Sequence, residues 1–439
     1  MRKPPPIPEP ASTARKDVWS RKARVVLITR LFGGGAKTRE IDPISWLRPS
    51  AAKSALRSWW RAAHAQDFSS LEALRKREEE LFGSSGTFDS KGHRQGGPGA
   101  LEVTVESKLA LPPADYLDSQ GSPINYALFP AQKTKKTDPA KIALPSEQTW
   151  ASIQLTSRSE DTEIQKLLLE ALSLWLTLGG AGSRTRRGVG AVALSNPDEA
   201  KKLGIPFSLE ELEAFLKKHC QSQSVPPALA EVCCLARTRS VFLGPPQESG
   251  ERAQLKLLDV LRKARQDRLP AKTGKYGLSK WPEADAIRLK SDPKKKWNHL
   301  RTADNAGQYP RAALGLPIVM HFKDDWPAEP KEHQILAARP DPKEKWKKLE
   351  RFSSPILLRP VRIWKGKETL YVPVALILGC ALPADARPLV TTEPKAPAAE
   401  DDVVQSYDIS QHAGETLRRI ERAFAAEPGF RILEGAEIP

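Results

Sequence analysis

Apolar and polar positions along this chain alternate with two periods, and the changes between them predict its elements. Residues 23–35, ARVVLITRLFGGG, run as a first strand into a glycine-rich turn. A helix is expected from about Pro49, because proline suits a first turn. Within it Ala52, Leu56, Trp59 and Ala63 fall on one stripe that can pack on a sheet. A second helix covers LEALRKREEELF and stops at Gly83. Residues 100–111 and 150–157 carry the period of half-buried strands. The Pro-rich, charged stretch between them predicts an irregular insertion at about 112–142. Residues 162–178, TEIQKLLLEALSLWLTL, place Ile164, Leu168, Leu172 and Trp175 at helical spacing, and VGAVAL after them is a strand.

A second half begins after about residue 200 with the helix SLEELEAFLKKH. Strands are expected within 233–244, 316–322, 354–364 and 370–378, with an amphipathic helix over 252–266. Residues 262–310 form a basic insertion, and 386–439 a linker followed by a helix over 414–426. The predicted units are a basic Pro-rich arm (1–22), two α/β halves (23–200 and 201–385) and the tail.

Between helix and strand in the first half lies LGGAGSRTRRGVGAV (178–192), with five glycines and three arginines. Bare backbone N–H groups approach an anion closely, and arginine supplies a bidentate charged fork. Neither nucleotide motif fits. A Walker loop needs Lys-Ser/Thr after its last glycine, where Val189 stands, and the dinucleotide fingerprint breaks at Thr185. Those loops also run from strand to helix, and this one runs from helix to strand. Clustered Arg184, Arg186 and Arg187 point to a phosphate-backbone ligand. The alternative is a glycine C-cap and tight turn that carries arginines.

Charge favours the same ligand. The 439 residues carry a formal net charge of +16 and a pI near 9.6, in the range of nucleic-acid-binding domains. From Arg262 to Arg301 there are thirteen Lys or Arg against four Asp or Glu, interrupted by Tyr276, Trp281 and Trp297. No stretch reaches the ~20 apolar residues of a membrane span, and the N-terminal arm lacks a signal peptide's apolar region. The four cysteines include no C-x-x-C pair and the seven histidines no metal-binding unit, so no metal or other cofactor is expected, in a reducing cytoplasm. In the helix from Pro49, Lys53, Arg57, Trp60, Arg61 and His64 gather opposite the apolar stripe. That face suits an RNA strand, with phosphates on the cations and a base or sugar against Trp60. The alternative is that Trp60 covers a second hydrophobic layer beneath a solvated face.

Four stretches, EIDPISWLRPSAAKSALRSWWRAAHA (40–65), LRKREEELFGSS, the glycine loop and RFSSPILLRPV, together resemble the RAMP superfamily of CRISPR systems. More narrowly, their order is similar to that of the large RAMP subunit at the capping end of type III-B (Cmr) effector complexes. The resemblance runs through most of 23–380 and is stronger in the first half. It implies an α+β fold of two ferredoxin-like (RRM-like) domains with insertions. It also implies a noncatalytic RNA-binding subunit, whose partners are crRNA, target RNA and other RAMP subunits, with no membrane and no small-molecule substrate. Carried over to this chain, Gly182, Arg184, Arg186, Arg187 and Gly188 hold RNA backbone. Lys53, Arg57, Trp60 and Arg61 form the helix side of the cleft, and Arg351 and Arg311 belong to the second half. Ala181, Ser183 and Thr185 in the loop, and DPISW before the helix, depart from the family pattern.

Two other function classes stay open. Some RAMP proteins are metal-independent endoribonucleases, for which His64 is the candidate general acid or base beside Arg57 and Arg61. Asp42 and Asp89 are isolated, so a metal-dependent nuclease lacks its paired carboxylates. A basic scaffold without RNA contact also fits SDPKKKWNHLR (291–301).

Overall fold

The computed structural model describes residues 19–433 except 85, 89–93, 118–120, 136, 271–276, 298, 323–328, 350 and 394–395. Most of the basic arm, Asp89 and Tyr276 therefore lie outside the described residues. In the first half, β1 (Ser20–Leu27) leads to α1 (Pro49–His64) and α2 (Leu71–Phe82). Then come β2 (Leu101–Lys108), β3 (Ser146–Ser157), α3 (Thr162–Leu178) and β4 (Val192–Leu194). These strands form one antiparallel sheet in the order β2-β3-β1-β4, with register Val25↔Ala151 across β1 and β3. A single layer of helices covers one face, so Val25, Leu27, Ile153 and Leu155 pack under Leu56, Leu168, Leu172 and Trp175. That one-sided cover explains the clean alternation along β2.

The second half begins with α4 (Leu209–His219), β5 (Thr238–Leu243), α5 (Gly250–Arg265) and α6 (Glu283–Ser291). It continues through β6 (Ile318–Met320), β7 (His333–Asp341), β8 (Lys345–Leu349), β9 (Ile356–Lys365) and β10 (Glu368–Leu378). Its last elements are β11 (Arg387–Thr391), α7 (Ile409–Ala425) and β12 (Arg431–Ile432). One antiparallel sheet runs β9-β10-β5-β12. Taking the strands of each main sheet in chain order, both halves share the arrangement second, third, first, fourth, with a helix in each crossover.

This second sheet is buried on both faces. Phe242, Leu358, Ala375 and Ile377 face α5 and α7. Val241, Leu357, Val374 and Leu376 face Leu174 and Leu178 of α3 and Leu212 and Leu216 of α4. Two covered faces demand near-continuous apolar strands, and ILLRPVRIW and LYVPVALIL supply them. Helix α3 thus serves both halves, which accounts for its burial on nearly every side of its C-terminal turns.

Three sequence expectations change. The stretch from 386 is not a linker, because β11 pairs with β7 while α7 and β12 complete the second sheet. The insertion after residue 112 is ordered around Tyr116, Ile124 and Leu128, which pack with Phe32 and with Leu257 and Leu258 of α5. The basic insertion contains α6, whose Glu283, Asp285 and Arg288 are buried in ion pairs. Among the described residues no helix is long and apolar enough to cross a membrane.

Candidate nucleic-acid interface

The glycine-rich loop leaves α3 at Gly179 and crosses to β9, the edge strand of the other sheet. Its turns depend on backbone that only glycine adopts without strain. Gly190 has φ +66, and a Cβ there would lie 2.0 Å from the carbonyl oxygen of Ala181. Arg184 is itself left-handed, with φ +64. These reversals send the three loop arginines in three directions.

Arg186 turns toward a cleft and donates to the Ser354 carbonyl at 2.6 Å, while its own carbonyl accepts from Leu358 N at 3.0 Å. Arg184 turns away, half-buried, with its guanidinium 4.6 Å from the centroid of the Phe129 ring, and burial lowers its pKa. Arg187 is buried between the halves. It donates to the Ile356 carbonyl at 3.0 Å and to Ser354 Oγ at 3.0 Å, and burial pushes its pKa down to about 10. Gly188 is buried against Pro360. The expectation that Arg187 and Gly188 hold RNA backbone is therefore corrected: both join the halves, and of the loop glycines singled out only Gly182 is exposed.

The helix side is corrected as well. Trp60, not Trp59, is the buried ring, 1% exposed, with its centroid 6.0 Å from that of Phe68 and 6.2 Å from that of Phe82. Helix α2 packs along this side of α1 and rotates the buried stripe onto Ala52, Leu56 and Trp60. The cations there serve the fold. Lys53 donates to the Leu101 carbonyl at 3.0 Å, and burial lowers its pKa. Arg61 forms a bidentate pair with Glu78 at 2.6 and 2.7 Å, which raises its pKa. Arg57 shares Glu78 at 3.3 Å and donates to the Gly83 carbonyl.

His64 lies between two carboxylates, with Nδ1 3.0 Å from Asp67 and Nε2 3.1 Å from Glu170. Burial opposes its charged form, but the two carboxylate hydrogen bonds outweigh it and raise the pKa. In the second half Arg311 is anchored on buried Glu283 at 2.9 Å rather than open to a strand. Arg351 is exposed, two residues before Ser353 at the cleft edge.

The cleft itself, about 900 Å³, opens between α1, the glycine loop and the segment around Cys233. Its helix wall is the small-residue face Ala51, Ser54, Ala55, Ser58 and Ala62, with half-buried Trp59 along it. These positions recur at i, i+3, i+4, i+7 and i+11, so the spacing was readable, though nothing in it distinguished an open groove from a packed one. Four arginines line it, Arg48, Arg61, Arg75 and Arg186, against the single carboxylate Glu231. Arg48 and Arg75 are exposed, and sequence reasoning missed both, Arg48 standing alone before α1 and Arg75 lying in an Arg-Lys-Arg run on α2 that reads as a solvated helix face. The N-terminus of α1 opens onto the same groove without a capping side chain or a first-turn acid, leaving its N–H dipoles uncompensated. Among the described residues no group of three or more His, Cys, Asp or Glu could hold a metal ion.

Comparison with known proteins finds similarity over part of this chain. Residues 24–193 match the RAMP superfamily. No curated protein matches the sequence. Among solved structures, Cmr1 from Pyrococcus furiosus in its apo form has 14% identity and a TM-score of 0.48, covering 95% of this chain and all of that one. A chain of the type III-B Cmr-beta complex bound to cognate target RNA has 10% identity and a TM-score of 0.39, over 92% of this chain and 100% of that chain.

Proposed function

We propose that this chain, whose residues 24–193 match the RAMP superfamily, is a noncatalytic RNA-binding subunit of a type III-B (Cmr) CRISPR effector. In this reading both halves are ferredoxin-like RAMP domains, and their shared strand order supports it. The narrower Cmr assignment rests on the order of the sequence motifs. The subunit works in the cytoplasm beside other RAMP subunits, on the 3′ region of the crRNA or the paired part of the target.

The observation that carries the reading is the cleft's charge: with Arg61 already paired to Glu78, Arg48, Arg75 and Arg186 face one glutamate across a groove floored by small side chains. Small residues let a sugar-phosphate backbone lie close to α1, and Arg48, Arg75 and Arg186 neutralise its phosphates. Trp59 offers a stacking face for one unpaired base. Such contacts position a strand without reading its sequence, so guide pairing selects the target. The absence of catalysis is supported at His64, whose ring nitrogens are both engaged by carboxylates.

The test is fluorescence anisotropy of a labelled single-stranded RNA across a salt series, with the RNA recovered on a denaturing gel. We expect uncut RNA and a steep salt slope. Arg48→Ala/Arg75→Ala/Arg186→Ala reduces that slope by about 2, at roughly 0.7 per lost phosphate contact. An unchanged slope makes the loop a structural turn and the chain a scaffold. Shortened RNA makes it a nuclease.

A further inference from the structure

The sequence carries a second concentration of charge that the loop cleft does not use, the thirteen Lys or Arg between Arg262 and Arg301. In the fold, part of this stretch meets α7 across a separate pocket of about 710 Å³ in the second half. Helix α7 presents His412, Glu415, Arg419 and Arg422 to it, spaced i, i+3, i+7 and i+10, so one helical face is turned inward. Lys280 and Arg301 line the same pocket.

The charges here do not cancel. Asp267 is shared by Lys280 at 3.1 Å and Arg419 at 3.0 Å. Arg301 has a distant carboxylate, Asp285 at 3.9 Å, which is already held by Asn305 at 2.7 Å and Arg288 at 3.2 Å. Arg422 is exposed, and Glu415 is the one acid among the lining residues. Aromatic rings frame the same space. The Arg419 guanidinium lies 3.9 Å from the centroid of the Trp281 ring. The exposed His412 imidazole stacks on Tyr407, with centroids 4.5 Å apart and planes at 17°.

We propose that this pocket binds a ribonucleotide phosphate, as a second contact on an RNA strand or as a free nucleotide. Arg301 and Arg422, the two guanidiniums with the least internal compensation, take the phosphate as bidentate forks. A base extends the His412–Tyr407 stack. Glu415, which can only accept, receives the ribose hydroxyls that a phosphate would repel. The volume is within the range of small-ligand pockets.

Two arms on the full chain test the site and separate its sources. In the first, a fluorescein-labelled oligouridylate of sixteen nucleotides is titrated across a potassium chloride series. Arg301→Ala/Arg422→Ala is expected to reduce the salt slope by about 1.4, at ~0.7 per lost contact, both alone and on the Arg48→Ala/Arg75→Ala/Arg186→Ala background. Arg301→Lys/Arg422→Lys keeps the slope, which controls for misfolding. In the second arm, calorimetry with uridine 5′-monophosphate shows binding that the alanine pair removes. A lost slope identifies the strand as the source. Lost monophosphate binding with an intact slope identifies the free nucleotide. If neither quantity differs between wild type and the alanine pair, the pocket site is overturned. The loop-cleft reading fails independently, when its own triple variant leaves the slope unchanged.

Discussion

Removing the Arg359 side chain tests how the two halves hold the loop between them. Arg359 lies on β9, 1% exposed, and no carboxylate among the described residues pairs with it. Its guanidinium instead donates to the carbonyls of Thr177 at 3.0 Å, Leu176 at 2.8 Å and Val192. Burial pushes its pKa down to about 9. Leu176 and Thr177 belong to the last turn of α3, where carbonyls have no intrahelical partner and the helix dipole is negative. Arg359→Leu would leave these three acceptors buried and unpaired, at about 1–3 kcal/mol each. Release of a desolvated cation and the added apolar contact offset part of this. The net loss is about 3–5 kcal/mol, a large share of the ~5–15 kcal/mol that holds a folded protein. Urea unfolding with a lowered midpoint and an unchanged slope reads it. Arg359→Lys, with three donors on one point, retains roughly half. A loss below about 1 kcal/mol for Arg359→Leu would refute the argument, because the carbonyls would then have found other partners.

Two further predictions separate the roles of like residues that lie close together in the fold. Trp60→Ala should cost about 3–5 kcal/mol of stability as a core truncation, while leaving the salt slope of RNA binding intact. Trp59→Ala should cost less stability and weaken single-stranded RNA binding by about 1–3 kcal/mol, so equal effects in both assays would contradict the burial difference. His64 and His219 both lie against Glu170, at 3.1 and 3.5 Å, yet shift in opposite directions. Burial depresses His219 to about 4, whereas His64 is raised above its ordinary value by its two carboxylate partners despite burial. The stabilising contribution of His64 is therefore complete below about pH 6.5 and lost as pH rises through its folded pKa. His219 instead costs stability as pH falls below about 6.5 toward its depressed value. NMR titration of the ring protons should give one midpoint above 6.5 and one near 4, and Glu170→Gln should lower the His64 midpoint; a common midpoint near 6.5 sinks the assignment.

Local pattern determined much of this protein. The helix over 162–178 has the same bounds in sequence and structure, and α1, α2 and the long strands follow their apolar periods, because each is specified by contacts that recur every two to four residues. The excess of positive charge and the presence of a glycine-arginine loop were equally plain from composition. What the loop does with its arginines was decided elsewhere. Four of its residues adopt left-handed backbone, and the partners that sort Arg186 and Arg187, at Ser354 and Ile356, are separated from them by well over a hundred positions. The exchange of Trp59 for Trp60 came from α2, which packs beside α1 and covers the Trp60 side of a stripe that keeps Ala52 and Leu56. Lys53 and Arg57 lost their place in the groove for the same reason, and Arg61 lines it with its charge already taken, since the Leu101 carbonyl and Glu78 claim them. The tail at 387–391 reads as a linker until β7 lies beside it. Periodicity reports the face an element presents, and only packing decides what meets that face.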